Sequence, residues 1–190
     1  MTHLWVRAEQ RPNEERAGLT PEGARDLIAA GMKITVEESD QRAIPIGGYR
    51  EAGCNIAPGG SWPDAPADAI IFGLKELPED GTPLPHRHIM FGHAYKGQAD
   101  GQVLLRRFRD GGGALYDLEY LVDKDGRRVA AFGYWAGYAG AALAALAWAR
   151  KESGEATPLE KQSPRANKNV LVQELKTAIE KTGKRPRMMV

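Results

Sequence analysis

Two short runs constrain this chain more than anything else in it. DAIIFGLK (residues 68–75) and HIMFGHA (residues 88–94) are near-continuous apolar stretches rather than alternating ones. A strand with one wet face alternates. A strand covered on both faces does not, and such strands belong to parallel sheets flanked by helices. Three more segments read as strands: LWVRA (4–8), KITVE (33–37) and ALYDLEYL (114–121). Between the first two, Thr20-Pro21-Glu22 opens a helix, with Thr as N-cap, Pro in the first turn and an acid at the positive end of the dipole. Ala24, Leu27 and Ile28 share one face of it and Gly31 closes it. This is a β-α-β unit, which makes parallel strands through a right-handed crossover. A further helix is predicted over 98–108, with Val103, Leu104, Leu105 and Phe108 available for packing. The expected class is α/β, a parallel-sheet, Rossmann-like domain.

The second part of the chain reads differently. From 129 to 149 there is no charge, and Arg127, Arg128, Arg150 and Lys151 flank the run. Its length suits a bilayer, but it is mostly Ala and Gly, with Leu143 and Leu146 the only large aliphatics in its second half. That composition fits close packing inside a protein better than lipid, so no membrane association is expected. The Gly133-x-x-x-Gly137 spacing lets helices approach closely and does not cradle phosphate. A polar linker with Pro158 and Pro164 follows, then an amphipathic helix over 168–181 with Val170, Leu171, Leu175 and Ile179 near one face, ended by Gly183. RMMV at 187–190 reads as the first half of a buried strand. The expected division is a domain over 1–131, a long interdomain helix over 132–152, and a second, unfinished Rossmann domain over 153–190.

The net charge of +1 gives no reason to expect nucleic acid. The start, MTHLWVRAEQRP, has no apolar signal core. The lone Cys54 cannot make an internal disulfide, so a reducing cytoplasm is the simplest setting, with Cys54 a small half-buried hydrophobe.

Ligands of open parallel sheets bind at the carboxyl ends of the strands, and ionisable residues gather there. Arg7 and Glu9 close the first strand, Lys75 and Glu76 the DAIIFGLK strand, and His93 sits near the end of HIMFGHA. Asp117 and Glu119 lie late in ALYDLEYL, and Arg127-Arg128 precede the long helix. Each also has a plainer reading. Lys75 marks where a strand surfaces, paired with Glu119. His93 is a core histidine, Arg127-Arg128 a solvated turn after Asp125-Gly126, and Glu14-Glu15-Arg16 a solvated loop. His86, His88 and His93 are close in sequence but flank opposite ends of a strand, so no metal site is expected. There is no G-x-S-x-G elbow and no P-loop.

Longer strings narrow the choice. RAEQRPNEERAGLTP, GSWPDAP, IIFGLKELPED, HIMFGHAYKGQ, GALYDLEYL and GRRVAAFGYWAGYAGAA together resemble the lysine-forming saccharopine dehydrogenases, relatives of alanine dehydrogenase and of lysine-ketoglutarate reductase. The resemblance runs from about residue 4 to 190. It implies oxidation of saccharopine with NAD and hydrolysis of the imine to lysine and 2-oxoglutarate. By resemblance Lys75 is the base and His93 the acid–base partner for imine hydrolysis. Arg16 and Arg128 match substrate-binding arginines, as bidentate clamps on a tricarboxylic substrate. Gln98 and Phe132 match other substrate contacts, and Arg127 a residue that touches NAD. In the family the strand begun at Arg187 continues into a glycine-rich pyrophosphate turn. The sequence stops at Val190, so the expectation is a chain inactive alone: a fragment, an interrupted gene product, or one half of a split enzyme that associates with itself or with a chain carrying the NAD domain. The rivals are a lysine-ketoglutarate reductase fragment and a metabolite-binding module without chemistry.

Overall fold

The computed structural model describes residues 1–95, 97, 99–155, 158–163, 165 and 168–187. Two units divide it, Met1–Ala130 and Ala131–Val190. In the first, six strands form one parallel sheet: β1 (His3–Val6), β2 (Lys33–Glu37), β3 (Asn55–Ala57), β4 (Ile70–Phe72), β5 (Arg87–Met90) and β6 (Ala114–Asp117). Helices α1 (Pro21–Ala29), α2 (Ile46–Glu51) and α3 (Ala99–Gly111) accompany them. The α/β reading is correct. The strand order is β3-β2-β1-β4-β5-β6. The chain winds outward from β1 to β3, then returns to lay β4, β5 and β6 on the other side.

Both sheet faces are covered, as the apolar runs required. Leu4, Val6, Ile34 and Val36 pack with Ala24, Tyr49 and Cys54 on one face. Ile71 and Met90 pack with Trp62, Ala69, Leu84 and Phe108 on the other. Helix α1 starts as expected: the Gly23 amide donates to Thr20 Oγ1 at 3.1 Å and Pro21 occupies the first turn. Gly31, at φ +88°, ends the turn that follows; a Cβ there would strain the left-handed backbone.

The strands are shorter than expected. Residues 73–75, 91–94 and 118–121 leave regular pairing although the chains still run side by side; the Phe91 amide, for example, donates to the Leu74 carbonyl at 3.2 Å. Side-chain carboxylates take over the amides at these ends. Glu9 receives those of Leu74 and Lys75, and Asp117 those of Gly92 and Glu119. Residues 118–120 consequently form a 3₁₀ turn, Leu118–Tyr120, instead of strand. Helix α2 and strand β3 are additions to the sequence reading.

The second unit pairs α4 (Gly133–Glu152) with α5 (Lys168–Thr182). Ala142, Ala145 and Ala149 supply the buried positions of α4, and Tyr138 donates from its hydroxyl to the Lys168 carbonyl at 3.1 Å. Leu171, Leu175 and Ile179 are half-buried, whereas Val170 is exposed. The expected close approach at the glycines does not occur here: a Cβ at Gly133 or Gly137 would meet nothing within 4 Å. Among the described residues no helix is long and apolar enough to cross a membrane. Residues 188–190, read above as strand, lie outside the described residues.

Candidate active site

The strand order reverses between β1 and β4, and such a switch point opens a crevice at the carboxyl ends of the two strands. The registers align what faces it. Val6 pairs with Phe72, Phe72 with Ile89 and Met90 with Asp117. Counted past the strand ends, the same registers make Glu9, Lys75, Gly92 and Glu119 equivalent positions, a row at the carboxyl edge of the sheet, although 118–120 bend into the 3₁₀ turn. His93 follows one residue beyond. The sheet thus delivers Lys75 and His93 just past the ends of neighbouring strands, at the same edge.

Lys75 is half-buried. Its amide donates to Glu9 Oε2 at 3.0 Å, and the Leu74 amide to Glu9 Oε1 at 2.6 Å. The Arg7 guanidinium donates to the Lys75 carbonyl. Arg7 is only 2% exposed and lies 3.5 Å from Glu9. Burial pushes the Arg7 guanidinium downward, and Glu9, Glu37 and Glu76 oppose that. Glu37 is fully buried at the end of β2, taking the Trp5 indole N–H at 2.9 Å and the Ala8 and Gly60 amides at 2.8 and 2.9 Å. Reading the strands one by one did not reveal this cluster. Its only signal was an arginine and two glutamates at the ends of buried strands.

His93 stands in the left-handed region, at φ +50°. For a residue with a Cβ this is uncommon and costs of order 1–2 kcal/mol. Its Nδ1 lies 3.6 Å from Glu119 Oε1, and the same oxygen lies 3.4 Å from Arg128 Nη2. Glu119 is therefore the link between His93 and Arg128. Asp117 Oδ1 fixes the link by accepting the Gly92 amide at 3.2 Å and the Glu119 amide at 3.0 Å. Arg128 arrives on a tight turn in which Asp123 Oδ1 accepts the amides of Asp125 and Arg127, each at 2.9 Å. The turn read from Asp125-Gly126 is real, and it delivers Arg128 to Glu119. Arg127 is exposed beside it.

Arg16 lies in a loop with half of its side chain exposed, as read, but Glu14 beside it is buried. Its Nε and Nη2 grip Glu14 at 2.7 and 2.5 Å, and the Glu14 side chain is only 7% exposed. These bonds hold the Glu14 carboxyl below the usual carboxylate range, outweighing the opposite effect of burial, and nearby Lys75 adds to the shift. Phe132 caps α4 in the second unit, 43% exposed. Gln98 lies outside the described residues.

A cavity of about 670 Å³ adjoins the row, lined by Arg11, Glu76, Glu79, His93, Asp100 and Arg107 among others. It is large enough for a small-molecule ligand. Among the described residues no group of three His, Cys, Asp or Glu is placed to hold a metal. Nor does the turn after β1 fit a dinucleotide. The turn after β1 reads RAEQRP, without glycines, its space is taken by Arg7 and Glu9, and α1 begins only at Pro21.

Residues 5–139 match the family model "Alanine dehydrogenase/PNT, N-terminal domain". The chain is 48% identical over 193 residues to "Saccharopine dehydrogenase [NAD(+), L-lysine-forming]" of Candida glabrata, covering 98% of this chain and 52% of the relative. It is 54% identical over 150 residues to the protein of the same name from Schizosaccharomyces pombe, covering 78% of this chain and 41% of the relative. The chain thus spans about half the length of the curated relatives it matches. The crystal structure of a transhydrogenase from Sinorhizobium meliloti superposes with a TM-score of 0.55 at 17% identity, over 78% of this chain and 42% of that one, a likeness of fold. With the family model covering most of the chain and the fold agreeing, this protein belongs to the alanine dehydrogenase/PNT N-terminal domain family.

Proposed function

We propose that the chain is the substrate-binding half of a lysine-forming saccharopine dehydrogenase, a cytoplasmic enzyme of lysine formation. The observation that carries this reading is the edge of the sheet where Lys75 and His93 follow the ends of adjacent strands, with the Phe91 amide bonded to the Leu74 carbonyl, and where Glu119 joins His93 to Arg128. Close similarity to proteins named for this reaction supports it. In this reading residues 1–131 form the substrate domain, 132–152 an interdomain helix and 153–190 the opening of an NAD-binding domain.

The chemistry assigned to these residues is proton handling. Saccharopine is a secondary amine joining lysine to 2-oxoglutarate. Its oxidation removes a hydride from carbon and a proton from nitrogen, leaving an imine. Lys75 takes the nitrogen proton. His93 then assists water to add to the imine carbon and moves a proton to the departing lysine nitrogen. Positioned acid–base groups of this kind contribute typically about 10²–10⁴-fold. Arg128 and Arg16 meet the substrate carboxylates. Gln98, Phe132 and Arg127 complete the assignment as substrate and NAD contacts. The hydride acceptor, NAD, needs a glycine-rich binding turn, which the turn after β1 does not supply.

Calorimetric titration of the 190-residue chain with saccharopine, 2-oxoglutarate and lysine tests the binding. Saccharopine is expected to bind and Arg128→Ala to weaken it. Fusing the chain to the second half of the Candida glabrata relative then tests turnover, which Lys75→Met should abolish. Absence of saccharopine binding sinks the reading. Turnover that prefers NADPH with lysine and 2-oxoglutarate points instead to a lysine-ketoglutarate reductase. Binding that never leads to turnover points to a metabolite-binding module.

A further inference from the structure

We propose that Arg7 and Glu9 are positioning residues for Lys75, a two-armed clamp from β1 that fixes the main chain from which the Lys75 side chain projects. The inference rests on the role given to Lys75 above. Three backbone polar groups of Leu74 and Lys75 are held by two side chains just past the end of β1. Glu9 receives the Leu74 amide on Oε1 at 2.6 Å and the Lys75 amide on Oε2 at 3.0 Å. Arg7 donates to the Lys75 carbonyl and to that of Ala8, the latter at 3.3 Å. One carboxylate spanning two successive N–H groups fixes the intervening peptide plane, and the guanidinium fixes the next.

The packing shows that the clamp is built in. The Arg7 side chain is fully buried and that of Glu9 is 8% exposed. Arg7 lies flat over Gly73, where a Cβ would fall 2.4 Å from Arg7 Nε. Any side chain at 73 would displace the guanidinium from this seat. A buried ion pair is a poor route to stability, because the desolvation it requires rivals the attraction it gains. Ordinary ladder pairing would hold β4 beside β1 without charge, as it does from residue 70 to 72. What the pair adds is a defined orientation for one residue, and that residue is Lys75. Site geometry of this kind matters because misplacement by about 1 Å can cost about 10²-fold in rate.

The test uses the complete 190-residue chain with ¹³Cε-labelled lysine. The Lys75 resonance is assigned by its loss in Lys75→Arg. In Glu9→Gln and in Arg7→Met, the Lys75 signal should shift or broaden while the other lysine signals stay in place. The saccharopine dissociation constant should rise by less than about threefold. If Glu9→Gln fails to fold, Glu9→Asp keeps the charge but shortens the reach, and should move the same signal. A Lys75 signal identical to wild type in a folded variant, whether or not its melting temperature falls, overturns the inference and leaves the pair a structural strut. Failure of the wild-type chain to bind saccharopine removes the functional reading instead and leaves the lysine spectra to judge the clamp.

Discussion

Strand β5 and the turn beyond it carry two histidines five residues apart in opposite surroundings. His88 lies within the strand, 1% exposed, with Trp62 and Phe108 set edge-on at ring distances of 5.2 and 5.3 Å. Neither of its ring nitrogens has a hydrogen-bond partner among the described residues. Burial, reinforced by the charges of Arg7, His86 and Arg107, pushes its imidazole down to about 3. His93 sits past the strand's end, partly open to solvent, in a left-handed backbone and against a carboxylate. The same side chain serves as an apolar disc at one place and stands beside a carboxylate at an open edge at the other. What differs is the supply of polar partners, and the sheet decides that supply: its middle is covered on both faces and its carboxyl edge is not.

The contrast can be broken in four ways. The largest effect belongs to His93→Gln in the fused, complete enzyme. Loss of a positioned acid–base group should lower kcat by roughly 10²–10⁴-fold, with the unfolding midpoint little changed. Steady-state kinetics beside a denaturation curve checks both halves. His88→Ala should do the reverse. The emptied space should destabilise the first unit by about 2–4 kcal/mol, while His88→Phe, which also removes two unpartnered nitrogens, should cost much less. Urea unfolding of the two variants separates these outcomes.

The third effect is one of pH. Above about pH 6.5 the His88 ring is neutral in the folded and unfolded chain alike. Below that, the unfolded chain takes up a proton that the folded core refuses until about pH 3. Stability from this group therefore falls with falling pH through that window, by up to about 1.4 kcal/mol per unit. Between pH 6.5 and 4.5, His88→Phe should lose about 2–3 kcal/mol less than wild type. An equal loss in both removes His88 as the cause. The smallest effect is a gain: His93→Gly should relieve the left-handed backbone and raise stability by about 1 kcal/mol, while abolishing whatever His93 does. No gain in the unfolding midpoint means that the strain is absent.

Much of the fold was legible because burial on both faces leaves a plain mark. The strings IIF and HIM admit little but a covered parallel strand, and Thr20-Pro21 announces α1. Strand order left no such mark, because the side-chain period is the same whichever neighbour a strand pairs with. Helix α2 contains Gly47 and Gly48, both poor helix formers, and β3 is only three residues long; tertiary packing, not propensity, holds them. At the site, Lys75 and His93 stood out as charges after apolar runs, but their roles came from longer strings. The company of Glu119 depended on register across β5 and β6, which no local pattern encodes. Arg7, Glu9 and Glu37 read as ordinary strand ends for the same reason. Their meeting is a property of three strands at once.

The clamp on Lys75 also bears on when this protein becomes competent. Glu9 and Leu74 are separated by 65 positions in the chain, and every group in the row except Glu9 comes from β4 or later. Pairing β1 with β2 is a near-neighbour event, whereas seating β4 beside β1 must close a long loop before any contact rewards it. A growing polypeptide can bury the first face of its sheet and still lack a crevice. The main chain of Lys75 is thus clamped only once the two halves of the sheet have met, so a half-folded molecule carries the strand without its anchor.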